Sequence, residues 1–260
     1  MPRVAAGVEY LGTAYSGWQA QAGQRTVQGE VEAALAGVAD EPVTVVCAGR
    51  TDTGVHALGQ VIHFDTGATR TPRAWVLGAN TRLPADIALH WAREMPGDFH
   101  ARHSAVARSY RYEIVNRSAR PALAADRVAW VHRPLDVGRM REAAAALLGE
   151  HDFSAFRSAD CQSKTPRRRV TAIDVARDGE RVTLRVTANA FLHHMVRIIA
   201  GLLIDVGRGD APPAFAAEVL AGRDRRLNAA TAPAGGLYFT AVGYPERFGV
   251  PGGVSAIMPP

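Results

Sequence analysis

Residues 170–177 and 181–188 are rich in β-branched side chains and are separated only by Asp178-Gly179-Glu180. Three residues around a central glycine make a hairpin and are far too few for the crossover that parallel strands require. This stretch can only pair antiparallel, which excludes a wholly parallel α/β design. The rest of the chain agrees. Further strands are expected at 4–10, 43–48, 60–64, 87–93, 108–115, 127–131 and 238–242, where β-branched and aromatic residues concentrate. Helices are expected at 27–38 behind Thr26 as N-cap, after Thr71-Pro72, at 137–148 between Asp136 and Gly149, and from Pro212-Pro213 to 220. Apolar residues at 191, 195, 198, 199, 202, 203 and 206 follow helical spacing and predict one more helix over 191–206. Strands neighbour strands without a βαβ rhythm, so the fold class is α+β with largely antiparallel sheets flanked by helices. Residues 96–106 read as a junction, giving two similar halves, 1–103 and 104–245, and a Gly/Pro-rich tail at 246–260.

A chain of 260 residues can bury a core without disulfides or metal. Its two cysteines, Cys47 and Cys161, form no CxxC or staple pattern, which suits a reducing compartment and a cytoplasmic protein. The longest apolar run, 195–207, is interrupted by Arg197 and Asp205 and is too short to span a bilayer. The first residues lack the apolar stretch of a signal peptide. The net charge is +5, and all but one of the 30 basic Lys and Arg residues are arginine, the exception being Lys164. Arginine grips phosphate bidentately and stacks on bases, so an acidic partner such as nucleic acid is favoured. Codon bias also enriches arginine, and charge by itself leaves the partner open.

The densest chemical signal is Cys47-Ala48-Gly49-Arg50-Thr51-Asp52-Thr53-Gly54-Val55-His56. A strand ends, a short polar loop displays one carboxylate, and a new strand begins, an arrangement by which rigid scaffolds commonly present catalytic groups. Asp52 could also simply cap neighbouring amides in a solvated turn. Asp52-Thr53-Gly54 spells the DTG of an aspartic protease, whose two carboxyls share a proton. The same three letters recur at Asp65-Thr66-Gly67, so the motif count does not decide the question. A nearby guanidinium such as that of Arg50 favours the ionised carboxylate, against the needs of that enzyme. The three-letter match is therefore discounted.

The longer string, Gly49-Arg50-Thr51-Asp52 with Gly54-Val55-His56, resembles the catalytic motif of the transfer-RNA pseudouridine synthase A family. The resemblance runs from Tyr15-Ser16-Gly17-Trp18-Gln19 through Gly59-Gln60-Val61, His63-Phe64, Phe99-His100-Ala101-Arg102, Arg111-Tyr112 and Gly149-Glu150-His151-Asp152-Phe153. It continues over 189–197 to Gly236-Leu237-Tyr238, with all blocks in the family's order. The sequence departs at Leu11, where the family usually carries aspartate, and at Thr53, where alanine is commoner.

The resemblance implies an active-site cleft between the two halves and isomerisation of uridine to pseudouridine at positions 38, 39 and 40 of the anticodon arm. It also implies a homodimer with RNA lying across both subunits. The reaction detaches uracil, rotates it and rejoins it through carbon 5. No group is donated and net oxidation is zero, so no cofactor and no metal are expected. Asp52 is implied as the catalytic residue, attacking the ribose or the uracil ring, or stabilising an elimination. A uridine within a stem must be turned out of the stack first. Arg50 holds the place of the family arginine that fills the vacated space. Tyr110 matches a tyrosine packed on the target base, Leu237 a leucine lining the base pocket, and Arg197 an arginine paired with the catalytic carboxylate.

On the strand around 108–112, residues 108, 110 and 112 share one face, which places a stacking ring beside phosphate-seeking charge. Tyr112 reads as core. His193 and Arg197, four apart, are expected on one helix face. Adjacent helical residues point about 100° apart, so His193-His194 is rejected as a metal site. The run Lys164-Thr165-Pro166-Arg167-Arg168-Arg169 suggests RNA-backbone contact through Lys164, Arg167, Arg168 and Arg169, with Arg102, Arg108 and Arg111 as weaker candidates. A non-catalytic RNA-binding protein would keep such a surface without needing a carboxylate at 52.

Overall fold

A computed structural model describes residues 1–251. In chain order its helices and strands are β1 (Arg3–Tyr10), α1 (Val27–Ala39), β2 (Val46–Cys47), β3 (His56–Asp65), α2 (Pro72–Asn80), β4 (Ile87–Met95), β5 (Ala107–Asn116), β6 (Ala129–Val131), α3 (Val137–Ala145), β7 (Gly149–Asp152), β8 (Arg167–Asp178), β9 (Arg181–Ala188), α4 (Met195–Arg208), α5 (Phe215–Gly222) and β10 (Leu237–Gly243). The class is α+β with mostly antiparallel strand pairing. Two compact units divide the chain: Met1–Ala107 with the segment from Tyr238 onward, and Arg108–Leu237. The last strand, assigned by sequence to the second half, thus returns to the first unit. Pairing partners distant in sequence decide such membership, and local patterning does not record them.

In the first unit β1 lies between β3 and β4, antiparallel to both. A strand with neighbours on both sides carries no solvated edge, and β1 accordingly reads as a nearly continuous buried run. β2 adds antiparallel to β3 through Val46–His63 and Cys47–Ile62, and β10 pairs parallel with β3 at His56 and Ala57. The helices begin where their caps predict. Thr26 Oγ1 accepts from Gly29 N, and Thr71 Oγ1 accepts from Ala74 N with Pro72 at the first helical position. α2 seats Trp75 edge-on to Phe64 of β3, with ring centroids 5.1 Å apart. The start of the expected tail is docked: Phe248 is buried edge-on to Phe99, and Arg93 donates to Gly249 O. Residues 252–260 of that tail lie outside the described residues.

The second unit orders its strands β6-β5-β9-β8-β7, with β5–β6 parallel and the others antiparallel. The hairpin read from Asp178-Gly179-Glu180 is present, joining β8 to β9 in register at Asp178 and Arg181. Val182, Leu184 and Val186 alternate into the core along β9. α4 has nearly every side chain buried, and α3 packs against it and β8. Asp136 Oδ1 accepts from Arg139 N to cap α3, as expected.

β7 escaped the sequence pattern because Gly-Glu-His-Asp has no apolar alternation; its pairing with β8 makes it a strand. β3 begins four residues before the expected 60, and of the expected strand at 43–48 only Val46–Cys47 forms a strand, with Ala48 N donating on to Val61 O. Among the described residues no helix is long and apolar enough to cross a membrane.

Candidate active site

Residues 48–55 connect β2 to β3, and their conformation is set by groups from the flanking strands and from residues 10–18. Gln60, fully buried in β3, turns its carboxamide to the loop: Nε2 donates to Gly49 O at 2.6 Å, and Gly49 N donates to Oε1 at 3.4 Å. The Tyr10 hydroxyl lies 2.7 Å from Thr51 Oγ1, and Trp18 N donates to Thr51 O at 2.9 Å. Val55 N closes a turn onto Asp52 O at 3.1 Å.

Two glycines permit the close approach. A Cβ on Gly12 would stand 2.0 Å from Val55 O, and one on Gly17 2.8 Å from Thr51 O. Gly17 also has φ +84°, a region side chains rarely adopt. Gly12 N donates to His56 Nδ1 at 3.0 Å, so that nitrogen carries no proton, and the buried His56 ring lies 4.7 Å from the Tyr238 ring. Residues 15–18 are fixed in turn. The Tyr15 hydroxyl donates to Asp86, Arg25 lies over its ring at 4.7 Å, and burial, aided by Asp86, raises the Tyr15 phenol well above its ordinary value.

On this loop Arg50 is exposed and Asp52 half-buried. Asp52 is the single acidic residue between Ala48 and His56. The other potential nucleophile nearby, Cys47, is buried, and burial pushes its thiol up to about 12 against the opposing charges of Arg50 and Arg102. It is a protonated thiol at neutral pH, and the thiolate is the reactive form. The carboxylate is the group equipped for chemistry here.

In the second unit Tyr110 of β5 is half-buried and meets Phe191 edge-on at 5.0 Å. Tyr112 is fully buried, its hydroxyl donating to Pro233 O at 2.8 Å, so the expected contrast between the two tyrosines is present. Arg197 is held from two directions: its Nε donates to Ala232 O at 2.8 Å, and its carbonyl accepts from Ala232 N at 3.1 Å. Leu237 is buried at the start of β10.

The helix expected over 191–206 begins only at Met195, because His194 sits left-handed at φ 62° and ends the run. His193 therefore precedes the helix and does not share a helical face with Arg197. The two histidine rings stack with centroids 4.0 Å apart rather than diverging. The shift puts Arg197 in the first turn of α4, where a cation opposes the helix dipole. A residue in a locally unfavourable place marks a candidate for function.

The basic run also needs correction. Lys164 and Arg167 are exposed, but Arg168 is only 8% exposed and its guanidinium donates to Thr165 O, Arg167 O and Ser163 Oγ. Burial lowers its pKa, and the side chain organises its own loop instead of facing a phosphate. Arg169 is paired with Glu150 at 2.9 Å. Sequence reasoning missed Tyr10 and Gln60 as supports of the Asp52 loop. The available signal was Gln60 itself, a carboxamide inside the apolar run Val61-Ile62 continues.

A family model described as tRNA pseudouridine synthase matches residues 6–104 and 143–245. The tRNA pseudouridine synthase A of Methylococcus capsulatus is 58% identical over 248 residues, covering 95% of this chain and 92% of that protein. The protein of the same name from Alcanivorax borkumensis is 54% identical over 252 residues, covering 96% and 94% respectively. That of Legionella pneumophila is 55% identical over 248 residues, covering 95% of each.

Proposed function

The chain belongs to the tRNA pseudouridine synthase family, a family of isomerases, and from that premise we propose that it converts uridine to pseudouridine at positions 38, 39 and 40 of the transfer-RNA anticodon arm, with Asp52 as catalytic residue. Membership sets aside the aspartic-protease reading of Asp52-Thr53-Gly54. The observation that carries the assignment is the Asp52 loop itself: one half-buried carboxylate on a backbone tied down at Gly49, Thr51 and His56, inside the matched residues.

The isomerisation breaks the bond from uracil N1 to ribose C1′ and forms one from C5 to C1′. The C5 proton leaves and N1 gains one, so atoms and electrons balance without an added reactant. An ionised Asp52 serves this by attacking the ribose or the ring, or by stabilising the positive charge that develops as uracil departs. A fixed carboxylate is already aligned and loses little freedom on reaching the transition state. The target nucleotide must leave the stack at a cost of a few kcal/mol. Arg50, exposed beside Asp52, takes the vacated space, Tyr110 packs on the base, Leu237 lines its pocket, and Arg197 keeps the carboxylate charged. Lys164 and Arg167 contact phosphate. The working species is a cytoplasmic homodimer with RNA across both subunits.

Nucleoside analysis of an unmodified transfer-RNA transcript tests this. The chain should produce pseudouridine at the named positions, and Asp52→Ala should lower the rate at least about a thousandfold while binding RNA nearly as well. Isomerisation at an unchanged rate in that variant refutes the assignment.

A further inference from the structure

Thr51 is where the Asp52 loop is tied to the sheet of the first unit. Its hydroxyl meets the Tyr10 hydroxyl at 2.7 Å, and its carbonyl accepts from Trp18 N at 2.9 Å. Both side chains are buried, Thr51 at 7% and Tyr10 at 3% exposure. A buried hydroxyl left without a partner is costly, so the contact between them persists.

Tyr10 is itself difficult to move. It stands at the end of β1, in register with Ala57 of β3 and Ile87 of β4, and its ring lies 5.8 Å from that of Trp18. Trp18 in turn supplies the second bond to Thr51. The path from rigid strand to reacting carboxylate is therefore one aromatic ring, one hydroxyl pair and one peptide. Upstream, Gln60 holds Gly49, so the loop is fixed on both sides of Arg50.

We propose that Tyr10 and Thr51 are a pair of positioning residues that aim Asp52 through their hydroxyl–hydroxyl bond. Neither is a catalytic residue, since neither is argued to touch the RNA. The inference rests on the reading of Asp52 as the catalytic carboxylate. A role in stability alone would lower the melting temperature and leave turnover of the folded molecules untouched. A positioning role moves kcat, because misplacement of a reacting group is felt mainly in the transition state.

Tyr10→Phe and Thr51→Val each remove one hydroxyl with little change in shape. Assayed on an unmodified transfer-RNA transcript, each should lower kcat about three- to tenfold and leave KM within about twofold. Both substitutions break one bond, so the double variant should be no slower than the slower single variant. Thr51→Ser keeps the oxygen and should retain kcat within about twofold. The proposal is overturned if a folded single variant turns over at the wild-type rate, if the two losses multiply, or if the change lies in KM alone. Should Tyr10→Phe not fold, Thr51→Val with the Thr51→Ser rescue asks the same question from the loop. Asp52→Asn in the same assay separates the two readings. If it turns over, the catalytic assignment fails and takes this inference with it. If it is inactive while Tyr10→Phe is unaffected, only the positioning pair fails.

Discussion

Among the described residues the first unit buries Thr26, Gln28, Thr51, His56, Gln60, His63 and Thr66, whereas the second buries Glu113 and Arg168. The polar interior of the first unit is hydrogen-bonded: Gln60 to Gly49, His56 to Gly12, His63 to Ala101, Gln28 to Ala20 and Thr66 to Glu41. The second unit is organised around α4, whose Ile198, Ile199, Leu202, Leu203 and Val206 are fully buried. Apolar burial is strong and non-directional, at roughly 1.5–3 kcal/mol for each such side chain. A hydrogen bond is worth less, about 1 kcal/mol net, but has direction. The difference teaches a division of labour. Directional contacts hold the loop that carries the carboxylate proposed to react, while packing supplies a stiff support for the side chains proposed to bind.

Substitutions of matched kind break or sharpen that contrast. The largest effect is expected for Gly12→Ala in the first unit, where the new Cβ would lie 2.0 Å from Val55 O and push the loop aside. Turnover should fall on the order of a hundredfold, as expected for a displacement of about an ångström, and single-turnover kinetics on transfer RNA reads it. A near-normal rate would show that the loop tolerates movement and that the polar contacts matter little. Leu203→Ala in the second unit should do the opposite. It costs about 2–5 kcal/mol in denaturant unfolding through transfer and cavity terms, while the folded fraction retains close to wild-type kcat. A large kcat loss with little loss of stability would erase the distinction.

The third effect is in pH dependence. Burial pushes His63 down to about 4 from 6.5, with the charges of His100, Arg3 and His103 acting in the same direction and Asp65 opposing them. His100, with its ring centroid 4.7 Å from that of His63, is lowered too, chiefly by burial. The unfolded chain therefore binds a proton near pH 6.5 that folded His63 refuses until about 4. Its contribution is complete above 6.5 and is lost as pH falls through that window, by up to about 3 kcal/mol. Unfolding midpoints measured between pH 7 and 4 should show this slope, and His63→Gln should flatten it. An unchanged slope in the variant would assign the acid sensitivity elsewhere.

Much of the design was readable residue by residue. The hairpin at Asp178-Gly179-Glu180, the caps at Thr26, Thr71 and Asp136, and the apolar stripe of α4 depend on neighbours within a turn or two, and sequence periodicity reports such neighbours directly. The Asp52 motif was visible for the same reason, being one short uninterrupted string. Tertiary structure decided what depends on partners far along the chain. The pairing of His56 and Ala57 with Tyr238 and Phe239 brought β10 back to the first unit, and pairing with β8 made a strand of the polar Gly149–Asp152. A left-handed His194 moved Arg197 to the first turn of its helix, and the fold of the loop before β8 withdrew Arg168 from solvent. Tyr10 and Thr51, 41 positions apart, became partners only because β1 runs beside β3. Local chemistry chooses the elements and the candidate carboxylate; contacts between distant residues, with no periodic trace in sequence, choose the backbone that carries it.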